Sequence, residues 1–213
     1  AQQAFRLASY DFLPASFFAG LVARVTSASP GSSMVLRGIG ERHEYLKQLG
    51  EGEIDVALTS RQDLPGHLRA AALLNDPVVC VVRSGHPLER KLTLEGYRKA
   101  GHVSALEQAA GAGGAMETLL QRIGVSPQTV LRTQYFGLMP PILLQTDLVL
   151  TTGSLLARSM ASQYPLAVLP FPGAIAPLRF HMVWHERTHK NPAQTWLRAE
   201  IQAAARELRH TGP

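Results

Sequence analysis

Only one cysteine, Cys80, stands among the 213 residues. It has no partner for an internal disulfide, so nothing in the sequence ties the protein to an oxidising compartment. Long apolar runs are also missing. None approaches the roughly 18 residues that suggest a membrane span. The opening stretch, Ala1-Gln2-Gln3-Ala4-Phe5-Arg6, has no charged segment followed by an apolar one and does not read as a signal peptide. Without an initiator Met, it reads as a fragment or a processed product. Basic residues outnumber acidic ones by 21 to 16, yet no run of five forms and no aromatics interleave with them. Direct contact of this chain with nucleic acid is therefore not expected. A G-x-S-x-G elbow, a P-loop and a dinucleotide fingerprint are all absent from the sequence. The expectation is a protein that is not an enzyme and needs no cofactor and no metal.

What is present is a globular composition, 46% hydrophobic and 17% charged, with strands and helices in alternation. Residues 5–9 predict a strand. Asp11 is placed to cap a following helix, with Pro14 in its first turn. Phe17, Leu21 and Val25 recur four apart, and Phe18 and Val22 widen the stripe. A strand over 33–39, a helix over 41–49 ended by Gly50 and Gly52, and a strand over 53–59 complete a β-α-β-α-β series. That alternation predicts a parallel sheet. Strands follow over 68–74 and 78–83, and then the alternation resumes. Helices are expected over 93–99, 115–123, 136–144 and 154–162, with strands over 102–106, 129–133, 148–151 and 166–169. Pro140-Pro141 predicts that the helix over 136–144 is kinked or starts late. A strand over 180–185 and a helix opened by Pro192, with Leu197, Ile201, Ala204 and Leu208 in 4-3-4 spacing, close the chain. The reading is an α/β protein of two Rossmann-like lobes. Lobe I comprises 1–77 with 176–213, lobe II comprises 78–175, and strands near 78–83 and 167–175 cross between them.

His185-Glu186-Arg187-Thr188-His189 matches the H-E-x-x-H pattern of zinc proteases. That chemistry needs a helix, which sets the two histidines one turn apart on one face. Here the residues leave an apolar strand and enter the turn Lys190-Asn191-Pro192, so His185 and His189 are not expected to share a face. Gly111-Ala112-Gly113-Gly114 precedes a helix and could offer backbone N–H groups to an anion, or be a plain flexible loop. Cys80, inside Val78-Val79-Cys80-Val81-Val82, reads as inert core. His102 reads as a structural histidine, with a ligand contact as the alternative.

The positive pattern lies at strand ends. In open α/β sheets, ligands bind beyond the carboxyl ends of the strands. Those positions here carry Tyr10, Asp11, Phe12, Gly38, Ile39, Thr59, Ser60, Ser104, Tyr135, Phe136, Thr151 and Thr152. The set is rich in hydroxyls and aromatics, which suits a small polar or aromatic ligand. Arg37, Arg61 and Arg132 are candidates to pair with a carboxylate.

Several stretches, in order, resemble LysR-type transcriptional regulators. Gly50-Glu51-Gly52-Glu53-Ile54-Asp55-Val56-Ala57-Leu58 is similar to their L-x-x-G-x-(I/L)-D-hydrophobic-A segment. Ser84-Gly85-His86-Pro87-Leu88 is similar to their H-P-L turn, and Thr146-Asp147-Leu148-Val149-Leu150-Thr151 to their T-D-L-I-A-T segment. Trp184-His185, then Asn191-Pro192-Ala193 and Trp196-Leu197-Arg198, is similar to their C-terminal W-H, D-P-A and W-L-R pattern. The resemblance covers nearly the whole chain and is nearest to regulators of aromatic degradation and nodulation. It departs at two places: Ala112 stands where some salicylate-responsive members place a histidine, and Gly153 where the family usually has proline.

The resemblance implies a type II periplasmic-binding-protein-like fold with a small-molecule effector held between lobes. It implies a cytoplasmic regulator whose N-terminal winged helix-turn-helix, absent from this chain, contacts DNA. It also implies a homodimer of this domain, built with the first helix against the second lobe of a partner, and a homotetramer of the full-length protein whose DNA-binding spacing follows the lobe angle. RNA polymerase is a further possible partner, and no membrane is expected. A transport-type solute-binding protein is the alternative of another class, and a zinc hydrolase through His185 and His189 is a third.

Overall fold

A computed structural model describes residues 3–10, 12–39, 42–60, 64–105 and 114–210. The chain packs as two compact units, Ala1–Asn75 with Arg179–Pro213, and Asp76–Leu178. Each unit holds one five-stranded sheet.

In the first unit the strands are β1 (Ala4–Ser9), β2 (Ser33–Gly38), β3 (Val56–Thr59), β4 (Leu68–Asp76) and β10 (Leu178–His185), in the order β2-β1-β3-β10-β4. β1 runs parallel to both β2 and β3, as the alternation requires, and β10 is antiparallel to β3. Helix α1 (Ala15–Ala28) buries Phe17, Leu21 and Val25, the residues of its predicted stripe. It starts from Pro14 rather than carrying Pro14 in its first turn, and the expected cap, Asp11, lies outside the described residues. Helix α7 (Pro192–His210) buries Leu197, Ile201, Ala204 and Leu208. Each buried leucine or isoleucine there is worth roughly 1.5–3 kcal/mol. Arg24 on α1 ties the two helices together, donating to Glu200 at 2.8 Å and to Glu207 at 2.6 Å. Trp196 of α7 meets Phe5 of β1, ring centroids 5.6 Å apart.

Helix α2 (Arg42–Glu51) places Tyr45 and Leu49 in a core with Ala8, Ile54, Ala57, Leu68 and Val183. It runs through Gly50 and stops at Gly52, whose φ of +80° is left-handed. The strand expected from residue 53 begins only at Val56. Glu53 and Ile54 still donate their amides to the carbonyl of Gln48, so the chain is leaving the helix there. All four residues of β3 are buried, in keeping with a strand covered on both faces.

The second unit has β5 (Val78–Arg83), β6 (Gly101–Ala105), β7 (Gln128–Thr133), β8 (Val149–Gly153) and β9 (Leu166–Pro170), in the order β7-β6-β8-β5-β9. β6 is parallel to β7 and β8, whereas β5 is antiparallel to β8 and β9. The helices are α3 (Leu94–Lys99), α4 (Ala115–Arg122), α5 (Met139–Leu144) and α6 (Ser154–Ala161). Thr93 caps α3 by accepting from the Gly96 amide. α5 starts late: Phe136–Leu138 form a 3-10 turn, and Pro140 and Pro141 fall in the helix's first turn, where no amide donor is needed.

The chain leaves the first unit at Asn75–Asp76, the end of β4, and returns at Leu178–Arg179, the start of β10. β4 and β10 are thus the strands that carry it across. Residues 78–83 and 167–175, expected to cross, stay inside the second unit, because β5 is paired on both sides within that sheet. Among the described residues, no helix is long and apolar enough to cross a membrane.

Candidate functional site

Parallel pairing decides where the strand-end residues go. In the first unit Ser9 of β1 stands opposite Gly38 of β2 and Leu58 of β3, so all three strands end at one edge. Tyr10, Gly38, Ile39, Thr59 and Ser60 follow there, and the Ile39 amide donates to the Ser9 carbonyl at 3.0 Å. Tyr10 and Phe12 are buried against each other edge to face, centroids 6.4 Å apart. Thr59 is fully buried and stands opposite His181 of β10. Asp11 and Arg61 lie outside the described residues.

His181 was not among the residues singled out by sequence. Its signal was the period of two along 180–185, which sets it on the face of the buried Val183. Burial pushes the His181 imidazole below its ordinary pKa and favours the neutral ring. Its Nδ1 is buried without a hydrogen-bond partner among the described residues, as is Ser60 Oγ. Unpartnered buried polar atoms cost about 1–3 kcal/mol each and mark places where a further group can bind.

In the second unit β6, β7 and β8 are parallel and end at one edge. Ser104 is half-buried near the end of β6. Tyr135, beyond β7, is exposed at 62%, while Phe136 is buried. Thr152 on β8 is buried, and its Oγ1 has no partner among the described residues. Thr151 is different. It pairs with Cys80 across the sheet and shares a 2.7 Å hydrogen bond with the hydroxyl of the buried Tyr97, so its oxygen is already engaged.

Other sequence candidates have structural partners. His102 is buried, with Nε2 2.8 Å from the Tyr97 carbonyl and its ring 4.4 Å from the Tyr97 ring. Cys80 is fully buried, and desolvation pushes its thiol up to about 12. In the H-E-x-x-H stretch, His185 ends β10 and its Nδ1 accepts the Arg187 amide. Glu186 pairs with Arg69, and His189 stacks on Trp184. The motif occupies a strand end and a 3-10 turn, not a helix. Arg132 pairs with Glu117 at 3.7 Å, and Arg37 is exposed. Of the glycine-rich loop, 111–113 lie outside the described residues, and Gly114 precedes α4.

Two five-stranded sheets with flanking helices, each with three parallel strands ending at one edge, define a regulatory-domain fold of the type II periplasmic-binding-protein-like class. The chain belongs to the LysR substrate binding domain family, whose model matches residues 1–206. Over 201 residues it is 30% identical to the HTH-type transcriptional activator NahR of Pseudomonas putida, covering 93% of this chain and 66% of NahR. The chain therefore spans just under two thirds of that relative's length. In fold it is similar to the regulatory domain of MexT, a transcriptional activator in Pseudomonas aeruginosa, with a TM-score of 0.80 at 22% identity over 96% of this chain and 98% of that one. It is also similar to the effector binding domain of QuiR in complex with shikimate, with a TM-score of 0.77 at 14% identity over 97% and 99% of the two chains.

Proposed function

We propose that this domain senses a small carboxylate effector through the carboxyl ends of its parallel strands and so modulates transcription by a regulator that binds DNA through another segment. The observation that carries this reading is the set of buried, unpartnered polar atoms at those ends: Ser60 Oγ, His181 Nδ1 and Thr152 Oγ1. Aromatic Tyr10, Phe12, Tyr135 and Phe136 accompany them, which suits a ligand with a ring or a compact carbon skeleton. QuiR's domain binds shikimate, a ring carboxylate, in the same fold. Family membership favours a regulator over a transport-type solute-binding protein. The domain senses rather than catalyses, and the regulator works in the cytoplasm.

The regulator acts as an oligomer in which copies of this domain pair through α1. Val22 on α1 is exposed at 44%, and the edge strand β2 exposes Val35 and Leu36. Val130 on β7, the edge strand of the second unit, is exposed at 63%. Apolar residues on unpaired edges favour association with another chain. Tetramer formation and contact with RNA polymerase belong to the whole regulator.

Thermal unfolding against a panel of aromatic and aliphatic carboxylates tests the effector reading. A ligand present at about 100 times its dissociation constant adds roughly 2.7 kcal/mol to stability. A saturable rise with one class identifies the effector chemistry. No rise across the panel overturns the carboxylate assignment.

A further inference from the structure

We infer that the second unit carries an additional small-molecule pocket, beside the Thr152 end of β8 but lined by other residues, that takes a carboxylate with an apolar body and anchors it on Arg158. The cavity holds about 750 Å³, within the roughly 300–1,000 Å³ of small-molecule sites. Its lining comes from this unit alone, and none of the twelve strand-end positions contributes to it. Val78 of β5, Val168 and Leu169 of β9, and Phe171 and Ile175 beyond β9 form an apolar wall. Ser104, near the end of β6, and Tyr135, beyond β7, lie at the other side of a sheet ordered β7-β6-β8-β5-β9, while Thr152 of β8 pairs with the lining residue Val79.

Arg158 and Ser154 of α6 supply the polar side. The guanidinium donates one hydrogen bond, from Nη2 to Ser154 Oγ at 3.1 Å, and forms no salt bridge among the described residues. Its remaining N–H donors are open to a ligand. The neighbouring carboxylate, Asp76, attracts Arg158 electrostatically but takes no hydrogen bond from it, because its oxygens are already engaged. It is buried, and its oxygens accept the Ser154 hydroxyl at 2.7 Å and the Leu155 amide at 3.2 and 3.3 Å. A single cation with unused donors beside an apolar wall selects an anion carrying hydrocarbon: the carboxylate meets the planar fork, and the body covers the wall. A fully polar anion such as phosphate would leave that wall uncovered.

The test is a titration of the chain with 2-naphthoate, read by NMR at the methyl groups of Val78, Val168, Leu169 and Ile175. Ile39 reports the strand ends of the first unit in the same spectra. Saturable shifts at the four pocket residues are expected, with at least tenfold weaker binding of the neutral 2-naphthamide. Arg158→Gln is expected to weaken 2-naphthoate at least tenfold, and Val168→Trp, which fills the cavity, to abolish the shifts. Shifts at Ile39 without shifts at the pocket residues, equal binding of acid and amide, or an unchanged affinity in Arg158→Gln would each overturn the assignment. A failure here leaves the strand-end reading standing, since Ile39 reports that site in the first unit and Arg158 takes no part in it.

Discussion

Asp76 occupies the space that a side chain at Gly153 would need. A Cβ on residue 153 would stand 2.9 Å from Cγ of Asp76 and closer still to its Oδ2. The Asp76 carboxylate, in turn, sits at the start of α6, where it accepts from Ser154 and from the Leu155 amide. Gly153 is thus matched by a buried acid from β4, in place of a cap from the helix's own N-terminal residue. Gly153→Ala is expected to destabilise the chain by about 1–3 kcal/mol through overpacking. Denaturant titration of Gly153→Ala, Asp76→Ala and the double variant checks the coupling. The double variant should lose less than the sum of the two singles, and strict additivity would contradict the close fit.

Asp76 also gives stability a pH signature. Burial raises its carboxyl pKa above the ordinary 3.8, with the Ser154 and Leu155 hydrogen bonds pulling the other way. The native state then holds its proton more tightly than the unfolded chain does. Stability from this group therefore falls as pH rises from about 3.8 toward the raised native value, and is flat above it. Asp76→Asn should remove that part of the slope in unfolding measured across acidic pH.

His102 works in the opposite sense. Desolvation lowers its pKa from 6.5, against the hydrogen bond to Tyr97. Below 6.5 the unfolded chain takes up a proton that the native ring declines. Its contribution is complete above 6.5 and is lost as pH falls through the native value. His181 pulls the same way. Replacing His102 with Gln should therefore reduce, not abolish, the loss of stability on acidification below pH 6.5, measured by chemical denaturation.

Gly52 and Arg187 end α2 together. Gly52 is left-handed at φ +80°, and a Cβ there would stand 2.6 Å from Arg187 Nη2. Arg187 donates to the carbonyls of Leu49 and Gly50 at the helix's C-terminal turn. Gly52→Ala should cost about 1–2 kcal/mol from backbone strain, and Arg187→Ala about 0.5–1.5 kcal/mol from the lost hydrogen bonds. Both are measurable by thermal or denaturant unfolding.

Cys80 should be unreactive in the native state. It is fully buried, and its thiol is pushed up to about 12, so almost no thiolate exists at neutral pH. Iodoacetamide labelling is expected to proceed only as fast as the second unit opens and to accelerate with denaturant. Rapid labelling in native buffer would contradict this burial.

The helices with a clear period were legible in the sequence. Phe17, Leu21 and Val25, and the 4-3-4 series from Leu197, define buried faces in the structure. Period alone could not set where β3 starts, because residues 53–55 carry a strand-like apolar pattern while Glu53 and Ile54 still bond back to Gln48. Nor could it show the crossing strands. Val-rich 78–83 looks like a connecting strand, but only its pairing with β8 and β9 reveals that it lies inside one sheet. At the candidate site, strand order sets the described residues of the expected set near one edge in each unit. The sequence could not reveal that Thr151 turns to Tyr97 while its neighbour Thr152 has no partner among the described residues. It also gave no reason to choose His181 until the antiparallel register set it opposite Thr59.

The most direct test of the sensing claim is the dissociation constant of the carboxylate that stabilises this chain, measured by calorimetry for the wild type and for Thr152→Val and His181→Phe. Both substitutions remove a polar group with an unpartnered atom while keeping similar volume, so stability without ligand should be little changed in Thr152→Val and should fall in His181→Phe by no more than its hydrogen bond to the Arg179 backbone, about 0.5–1.5 kcal/mol. The account predicts affinity at least tenfold weaker in each variant, about 1.4 kcal/mol. Unchanged affinity in both would contradict the assignment of the effector to the strand ends.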